Sequence, residues 1–210
     1  MTGTEKVAET SREKILKTAV AEIHRNGFRS TGINDILCKT GLTKGAFYYH
    51  FKSKADFGLA VVKEMFDSSV KEIWIRPLEK PDAGINSLQQ TIEYAMAASN
   101  EHFAALGCPL CNLASEMANQ DDNICKAVTQ FMDYWRNQIF KVLSYDQDKG
   151  VIRKDVDCER SAYFVLSSLQ GAITMAKPYK SPAPFRAALR GLQDYLQSLK
   201  VSPSNVQLTH

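Results

Sequence analysis

The sequence predicts an all-α protein of about nine helices, and three observations carry that prediction. Proline is absent before Pro77 and then occurs only at residues 81, 109, 178, 182, 184 and 203. Because proline disrupts helix interiors, the segments between these positions are free to be helical. Apolar residues recur there at a spacing of three and four, and alternating strand patterns are scarce. We expect helices over approximately 11–26, 32–40, 44–51, 54–75, 85–105, 109–118, 123–144, 158–176 and 183–199.

Composition excludes several classes of protein. With 44% hydrophobic and 23% charged residues, the chain has the balance of an ordinary globular protein. Its longest uncharged apolar stretch, residues 161–176, is shorter than the roughly 20 residues that span a bilayer. The first twelve residues lack the apolar block of a secretory signal, and five cysteines are an odd number for a disulfide framework. We therefore expect a cytoplasmic protein with reduced thiols and no membrane contact.

Basic charge is concentrated near the N-terminus. Residues 1–60 hold ten Lys or Arg against six acidic residues, whereas the remaining 150 residues hold 16 against 17. An excess confined to one part of the chain suggests a polyanionic partner for that part.

The N-terminal helices are predicted to form a helix-turn-helix. Thr10 and Glu13 are spaced as a capping box for the first helix. Gly41 supplies the left-handed residue that ends the second helix, and Thr43 can cap the third. In this arrangement the second of the two short helices enters the major groove of DNA.

The candidate recognition segment, residues 43–51, divides into two faces. Phe47 and Phe51 are four residues apart and share the face that packs on the first helix. Lys44, Ala46 and Tyr48 then face outward. Side chains that can donate hydrogen bonds to phosphate oxygens lie at Tyr48, Tyr49, His50 and Lys54. The aromatic run is equally compatible with ordinary core and surface residues.

An ordered set of residues matches a known family. The set comprises Ile15-Leu16, Ala19, Gly27-Phe28, Thr31, Asp35-Ile36, Gly41-Leu42-Thr43-Lys44-Gly45, Phe47-Tyr48-Tyr49-His50-Phe51 and Ser53-Lys54. On these residues the stretch from 11 to about 65 resembles the N-terminal domain of the TetR/AcrR family of one-component transcriptional repressors. Cys38 departs from the pattern, since the family usually has a small residue such as Ala there, and we interpret it as a buried small side chain.

The resemblance implies a domain division, a partner and residue roles. Residues 1–53 would form the helix-turn-helix DNA-binding domain, residues 54–200 a helical effector-binding and dimerisation domain, and residues 201–210 a disordered tail. The protein would be a repressor released from a palindromic operator by a small-molecule or thiol-reactive effector. The family usually holds phosphates at the positions of Thr31, Thr43, Tyr49, His50 and Lys54, and lies against bases at those of Lys44, Gly45, Ala46 and Tyr48.

A homodimer is expected because so short a recognition helix reads few base pairs, and helix-turn-helix proteins pair across a two-fold axis. The last two predicted helices carry wide apolar stripes that suit a four-helix bundle with a second copy. The alternative is a core within one chain. The stripes are Ala162, Val165, Leu169, Ala172 and Ala176, and Phe185, Ala188, Leu189, Leu192, Tyr195, Leu196 and Leu199.

Aromatic and methionine residues in the middle of the chain are candidates for an effector cavity, although each also fits an ordinary core. The candidates, with one histidine, are His102, Phe103, Met117, Tyr134 and Trp135.

Two cysteines stand at a predicted helix start. Pro109 favours the first helical position, so Cys108 and Cys111 lie near the positive end of the helix dipole, where the pKa of a thiol falls. Three interpretations stay open: small buried side chains, a redox or electrophile sensor, and a metal site that recruits Cys125 or His102. Gly107-Cys108 and Lys177 resemble positions in the N-ethylmaleimide-responsive repressors of the family, whereas Pro109 and Cys111 depart from that pattern.

Other functional classes explain fewer of these features. A thiol-disulfide redox protein using Cys108 and Cys111 is the alternative, but it would need a neighbouring strand-helix-strand pattern, which is missing. A helical adaptor without a DNA role would leave the N-terminal basic excess unexplained. We therefore expect a DNA-binding protein rather than an enzyme, with no cofactor and no bound metal.

Overall fold

The computed structural model describes residues 10–202 and is helical over most of this range. Ten α-helices occur within it: α1 Ser11–Asn26, α2 Ile33–Thr40, α3 Lys44–His50, α4 Lys54–Met65, α5 Ile85–Ala98, α6 Glu101–Leu106, α7 Pro109–Met117, α8 Asp122–Asp148, α9 Cys158–Tyr179 and α10 Ala183–Leu199. A π-helical segment, Phe66–Ile75, and a 3-10 turn, Arg76–Leu78, lie between α4 and α5. The all-α prediction is confirmed. Most of the predicted tail, residues 203–210, lies outside the described range.

One predicted helix is two helices. The segment predicted over 85–105 ends at Ala98 and restarts at Glu101, because Asn100 caps a new helix by accepting the Phe103 N–H at 2.9 Å. Arg186 of α10 holds the break, with Nη2 2.6 Å from the Ser99 carbonyl oxygen. The guanidinium comes from a helix 87 residues away in sequence. Such a contact leaves no signal in the local sequence, and the pattern therefore predicted one continuous helix.

The described residues form two compact units. The first contains residues up to 67 together with 109–128, and the second contains residues 68–108 and 129 onward. The first unit therefore holds α4, α7 and the start of α8 in addition to the three N-terminal helices. The division at residues 53 and 54 into functional domains stays a prediction.

The second unit is built around α9 and α10. The apolar stripes assigned above to a dimer seam are largely buried inside the single chain: Ala162, Val165, Leu169, Ala172, Ala176, Phe185, Leu189, Leu192, Leu196 and Leu199. Ala188 is exposed and Tyr195 half-buried. The alternative of an intramolecular core is thus correct for most of these residues, because α9 and α10 pack against each other and against α6 and α5 of the same chain.

No helix in residues 10–202 is both long enough and apolar enough to cross a membrane.

Candidate nucleic-acid interface

The first helix begins at a complete capping box. The Thr10 hydroxyl accepts the Glu13 N–H at 3.3 Å, and the Glu13 carboxylate accepts the Thr10 N–H at 2.9 Å. These bonds hold the pKa of Glu13 below its usual value, and the bond from the main chain of Thr10 has the larger effect. The stabilisation they give is present above the usual pKa of Glu13 and is lost as the pH falls through the lowered one. The cap thus fixes where α1 starts.

The turn between α2 and α3 follows the sequence prediction. Gly41 has a φ of 68°, in the left-handed region that glycine adopts most easily, and its N–H donates to the Leu37 carbonyl. Thr43 then caps α3, its hydroxyl accepting the Ala46 N–H at 3.2 Å. Residues 33–50 therefore form a helix-turn-helix.

An aromatic cluster fixes the inner face of α3. Phe47 and Phe51 are almost completely buried, and both rings meet Phe57 of α4, with centroids 5.1 and 5.2 Å apart. Three rings in edge or tilted contact allow little rotation of α3 about its axis.

The predicted base-reading residues lie on the outer side of α3. Lys44 and Gly45 are exposed, Ala46 is half-buried, and Tyr48 is 56% exposed. Because Phe47 fixes the opposite face, these four residues are presented together to a partner.

The predicted phosphate contacts have different surroundings. Thr43, Tyr49 and Lys54 are exposed, and the Lys54 Nζ lies 5.6 Å from the centroid of the Phe28 ring. His50 is half-buried, with Nε2 2.6 Å from the Ser11 hydroxyl. Ser11 was not predicted, since residues 39 apart in sequence give no signal of contact.

Thr31 is only 8% exposed, and its hydroxyl donates to the Gly27 carbonyl at 2.7 Å. This bond shapes the α1–α2 turn, and the phosphate contact of Thr31 stays a prediction. One residue differs from its sequence interpretation. Cys38 is exposed, not buried, because it lies on the solvent face of α2 beside Lys39.

The aromatic effector candidates in the second unit have separate contacts. Phe103 packs against Phe185, with centroids 5.0 Å apart, and Trp135 packs against Trp74 at 5.6 Å. Tyr134 donates its hydroxyl to Glu79 at 2.5 Å, and this bond, together with burial, raises the pKa of the phenol. The contacts give these rings roles in packing and in a surface hydrogen bond.

His102 is exposed and Met117 is buried. Met117 lies in the first compact unit, whereas His102 lies in the second. An open pocket of about 420 Å³ in the second unit has a different lining: Glu72, Ile73, Pro77, Lys80, Ser87, Gln90, Thr91 and Tyr94.

The cysteines at α7 take their predicted places. Helix α7 begins at Pro109, so Cys108 directly precedes it and Cys111 is its third residue. Cys108 is buried and Cys111 is half-buried.

Cys158, at the start of α9, differs from the α7 cysteines. Burial raises the pKa of the Cys158 thiol, which disfavours its reactive thiolate form. Within the described part of the chain, no three His, Cys, Asp or Glu side chains are grouped to hold a metal ion.

Comparison with known proteins decides the family. A family model described as "Tetracyclin repressor-like, C-terminal domain" matches residues 84–192, which is more than half of the chain. A second, "Bacterial regulatory proteins, tetR family", matches residues 15–61. The chain belongs to the TetR family of transcriptional regulators.

Individual TetR-family relatives are distant but match over most of their length. The transcriptional regulator AcuR of Cereibacter sphaeroides is 25% identical over 186 residues, covering 87% of this chain and 84% of AcuR. The HTH-type transcriptional repressor DhaR of a Mycobacterium species is 27% identical over 173 residues, covering 82% and 85%. A TetR regulator crystal structure from Chloroflexus aurantiacus superimposes with a TM-score of 0.79 at 25% identity, covering 91% and 96%.

These comparisons favour a DNA-binding transcriptional regulator over the thiol-disulfide redox alternative. The matched family and the similar proteins are all described as regulators, and none is described as an enzyme.

Proposed function

We propose that this TetR-family regulator is a homodimeric repressor that binds a palindromic operator and is released by an effector. The observation that supports it best is the outer face of α3. Tyr48 is 56% and Tyr49 85% exposed, although the residue just before them, Phe47, is fully buried. Large exposed aromatic side chains on a helix whose other face is fixed are suited to a partner surface. A repressor role is also supported by the name of the relative DhaR.

The outer face offers two kinds of contact to DNA. Lys44 is placed to donate to the edge of a guanine, and Tyr48 offers both a ring face and a hydroxyl. Tyr49 and Lys54 offer donors to phosphates, which position the helix without reading sequence. Both kinds are needed for a regulator that selects one site.

The homodimer is proposed to form through the outer face of α9 and α10, which we define as Phe164, Gly171, Met175, Ala188 and Gly191. All five are exposed. The Phe164 ring meets Tyr195 of α10 with centroids 4.5 Å apart, so the two helices present adjoining stripes. A glycine in a helix interior costs roughly 0.5–1 kcal/mol relative to alanine, and open space surrounds both glycines. Close approach of a second copy explains why that cost is retained.

Release is proposed to follow from a shift between two dimer states. One state holds its recognition helices one DNA turn apart, about 34–36 Å, and the other does not. An effector moves this equilibrium only by the difference in its affinity for the two states.

The experiment that tests the DNA-binding proposal selects duplexes from a random pool with the full-length protein. We expect the selected duplexes to share a palindrome whose half-sites are one helical turn apart. A pool that stays unenriched would contradict the proposal, and an enriched single half-site would contradict the homodimer.

Substituting Lys44 and Lys54 should separate sequence reading from phosphate binding. Lys44→Ala is expected to lose about 1–3 kcal/mol of discrimination between the selected duplex and one with the contacted base pair changed. Lys54→Ala is expected to weaken binding to both duplexes alike and to lower the slope of log K against log salt by about one. Equilibrium titrations at several salt concentrations measure both quantities. Equal discrimination by the wild type and Lys44→Ala would remove Lys44 from the reading face.

The cysteines at α7 allow thiol-reactive release to be distinguished from non-covalent release. Cys111 is half-buried and Cys108 buried, so N-ethylmaleimide should label Cys111 before Cys108, as measured by mass spectrometry of peptides; the exposed Cys38 should be labelled in the wild type and in the variant alike. The Cys108→Ser, Cys111→Ser variant should stay bound to DNA at a dose of N-ethylmaleimide that releases the wild type. Unchanged release of this variant by the reagent would exclude the two thiols as the trigger.

A further inference from the structure

The α1–α2 turn is held by a carboxylate from a distant part of the chain. Glu116 lies near the end of α7, in the same compact unit as the turn. Its two carboxylate oxygens accept the main-chain N–H groups of Phe28, at 2.8 Å, and Arg29, at 2.7 Å. Hydrogen bonds to an ionised acceptor are roughly twice as strong as neutral ones. One side chain thus fixes the backbone that leads into the helix-turn-helix.

Gly27 makes room for this carboxylate. Its φ is 90°, and a Cβ atom at this position would lie 3.0 Å from the Glu116 Oε2. Any other residue would be strained by this backbone conformation, and its Cβ would also push the Glu116 carboxylate away by a few tenths of an ångström. The carboxylate is seated directly against the turn.

Phe28 carries the effect from the turn to the surface. Its side chain is buried, and its Cζ would be 3.2 Å from a Cβ added to Gly58 of α4, so the ring is confined between the turn and α4. The Lys54 Nζ lies over this ring, 5.6 Å from the centroid, within the range of a cation–π contact. By fixing the backbone of Phe28, Glu116 therefore also fixes the ring on which the Lys54 ammonium lies.

We propose that Glu116 is a positioning residue for DNA binding: by fixing Phe28, it holds the Lys54 ammonium where it meets a phosphate. A lysine side chain loses conformational freedom when it binds, and a fixed ring beneath the ammonium reduces that loss. This inference rests on the proposed phosphate contact of Lys54.

The proposal and simple electrostatics predict opposite changes in DNA affinity when Glu116 is removed. Removing a negative charge from a DNA-binding protein reduces its repulsion from DNA and should tighten binding. Loss of a positioning residue should weaken it. We expect Glu116→Ala to weaken binding by up to about tenfold, the penalty for ordering one long side chain, Lys54, only when DNA binds.

The test is a double-mutant cycle on Glu116 and Lys54 in the full-length protein. The probe is a duplex selected from a random pool by the wild type, titrated at several salt concentrations. Lys54→Ala should lower the salt slope by about one in the wild-type background and by clearly less in the Glu116→Ala background. Glu101→Ala, an exposed carboxylate of α6, removes the same charge and should not weaken binding. Circular dichroism shows whether each variant is folded.

Glu116→Gln keeps one acceptor and covers the case in which Glu116→Ala does not fold. It should show a smaller loss of affinity and faster hydrogen exchange at the Phe28 and Arg29 amides. The inference is overturned if Glu116→Gln binds as tightly as the wild type, or if Lys54→Ala lowers the salt slope equally in both backgrounds. A wild type that selects no duplex would instead overturn the proposed function.

Discussion

Replacing Phe47 by alanine should lower the free energy of unfolding by about 3–5 kcal/mol, the usual cost of removing a buried aromatic ring. Phe47 is fully buried and packs against the rings of Phe51 and Phe57. Its loss leaves a cavity where α3 is fixed, so DNA binding should be lost with it. Urea unfolding followed by circular dichroism measures the first effect, and titration of a selected duplex measures the second.

Tyr49→Ala is the matched control for Phe47→Ala. Tyr49 lies two residues further along the same helix and is 85% exposed, so its removal should change stability by no more than about 0.5 kcal/mol. It should weaken DNA binding through the lost phosphate contact alone. Similar stability losses in the two variants would show that α3 is not anchored by its inner face.

Replacing Gly171 by arginine should keep each chain folded but prevent pairing. Arginine has a higher helix propensity than glycine by roughly 0.5–1 kcal/mol, and open space surrounds Gly171 within the chain. A long charged side chain would nevertheless block the close approach of a second copy. Losing the second half-site should weaken binding to a full palindrome by about 10²–10⁴-fold.

Sedimentation velocity and duplex titration test this prediction together. Gln90→Arg, on the exposed side of α5, adds the same charge away from the proposed face and should remain dimeric. A dimeric Gly171→Arg variant would place the interface elsewhere.

Local signals predicted the DNA-binding unit well. The caps at Thr10 and Thr43 and the left-handed Gly41 are set by short-range chemistry, so the bounds of α1 to α3 were readable from the sequence. The i and i+4 spacing of Phe47 and Phe51 likewise predicted the buried face of α3.

Long-range contacts could not be predicted in this way. The break held by Arg186, the Ser11 contact to His50 and the carboxylate of Glu116 all join residues far apart in sequence. Apolar periodicity shows that a face is buried but not what buries it, and the stripes of α9 and α10 were therefore assigned to a partner instead of to neighbouring helices of the same chain. The effector site also stays a prediction. The residue types that line a ligand cavity are the same types that fill a packed core, and Trp135, for example, is fully buried.

The burial of the α9 and α10 stripes within one chain has a consequence for assembly. Because most residues of these two stripes are enclosed within one chain, a single copy should fold without a partner, and the proposed homodimer would form by docking of chains that are already folded. Dilution should then yield folded single copies, and differently tagged preparations should exchange subunits on mixing. If the proposed homodimer is the form that binds the operator, occupancy of the operator should then rise with the concentration of the protein more steeply than for a single-copy binder.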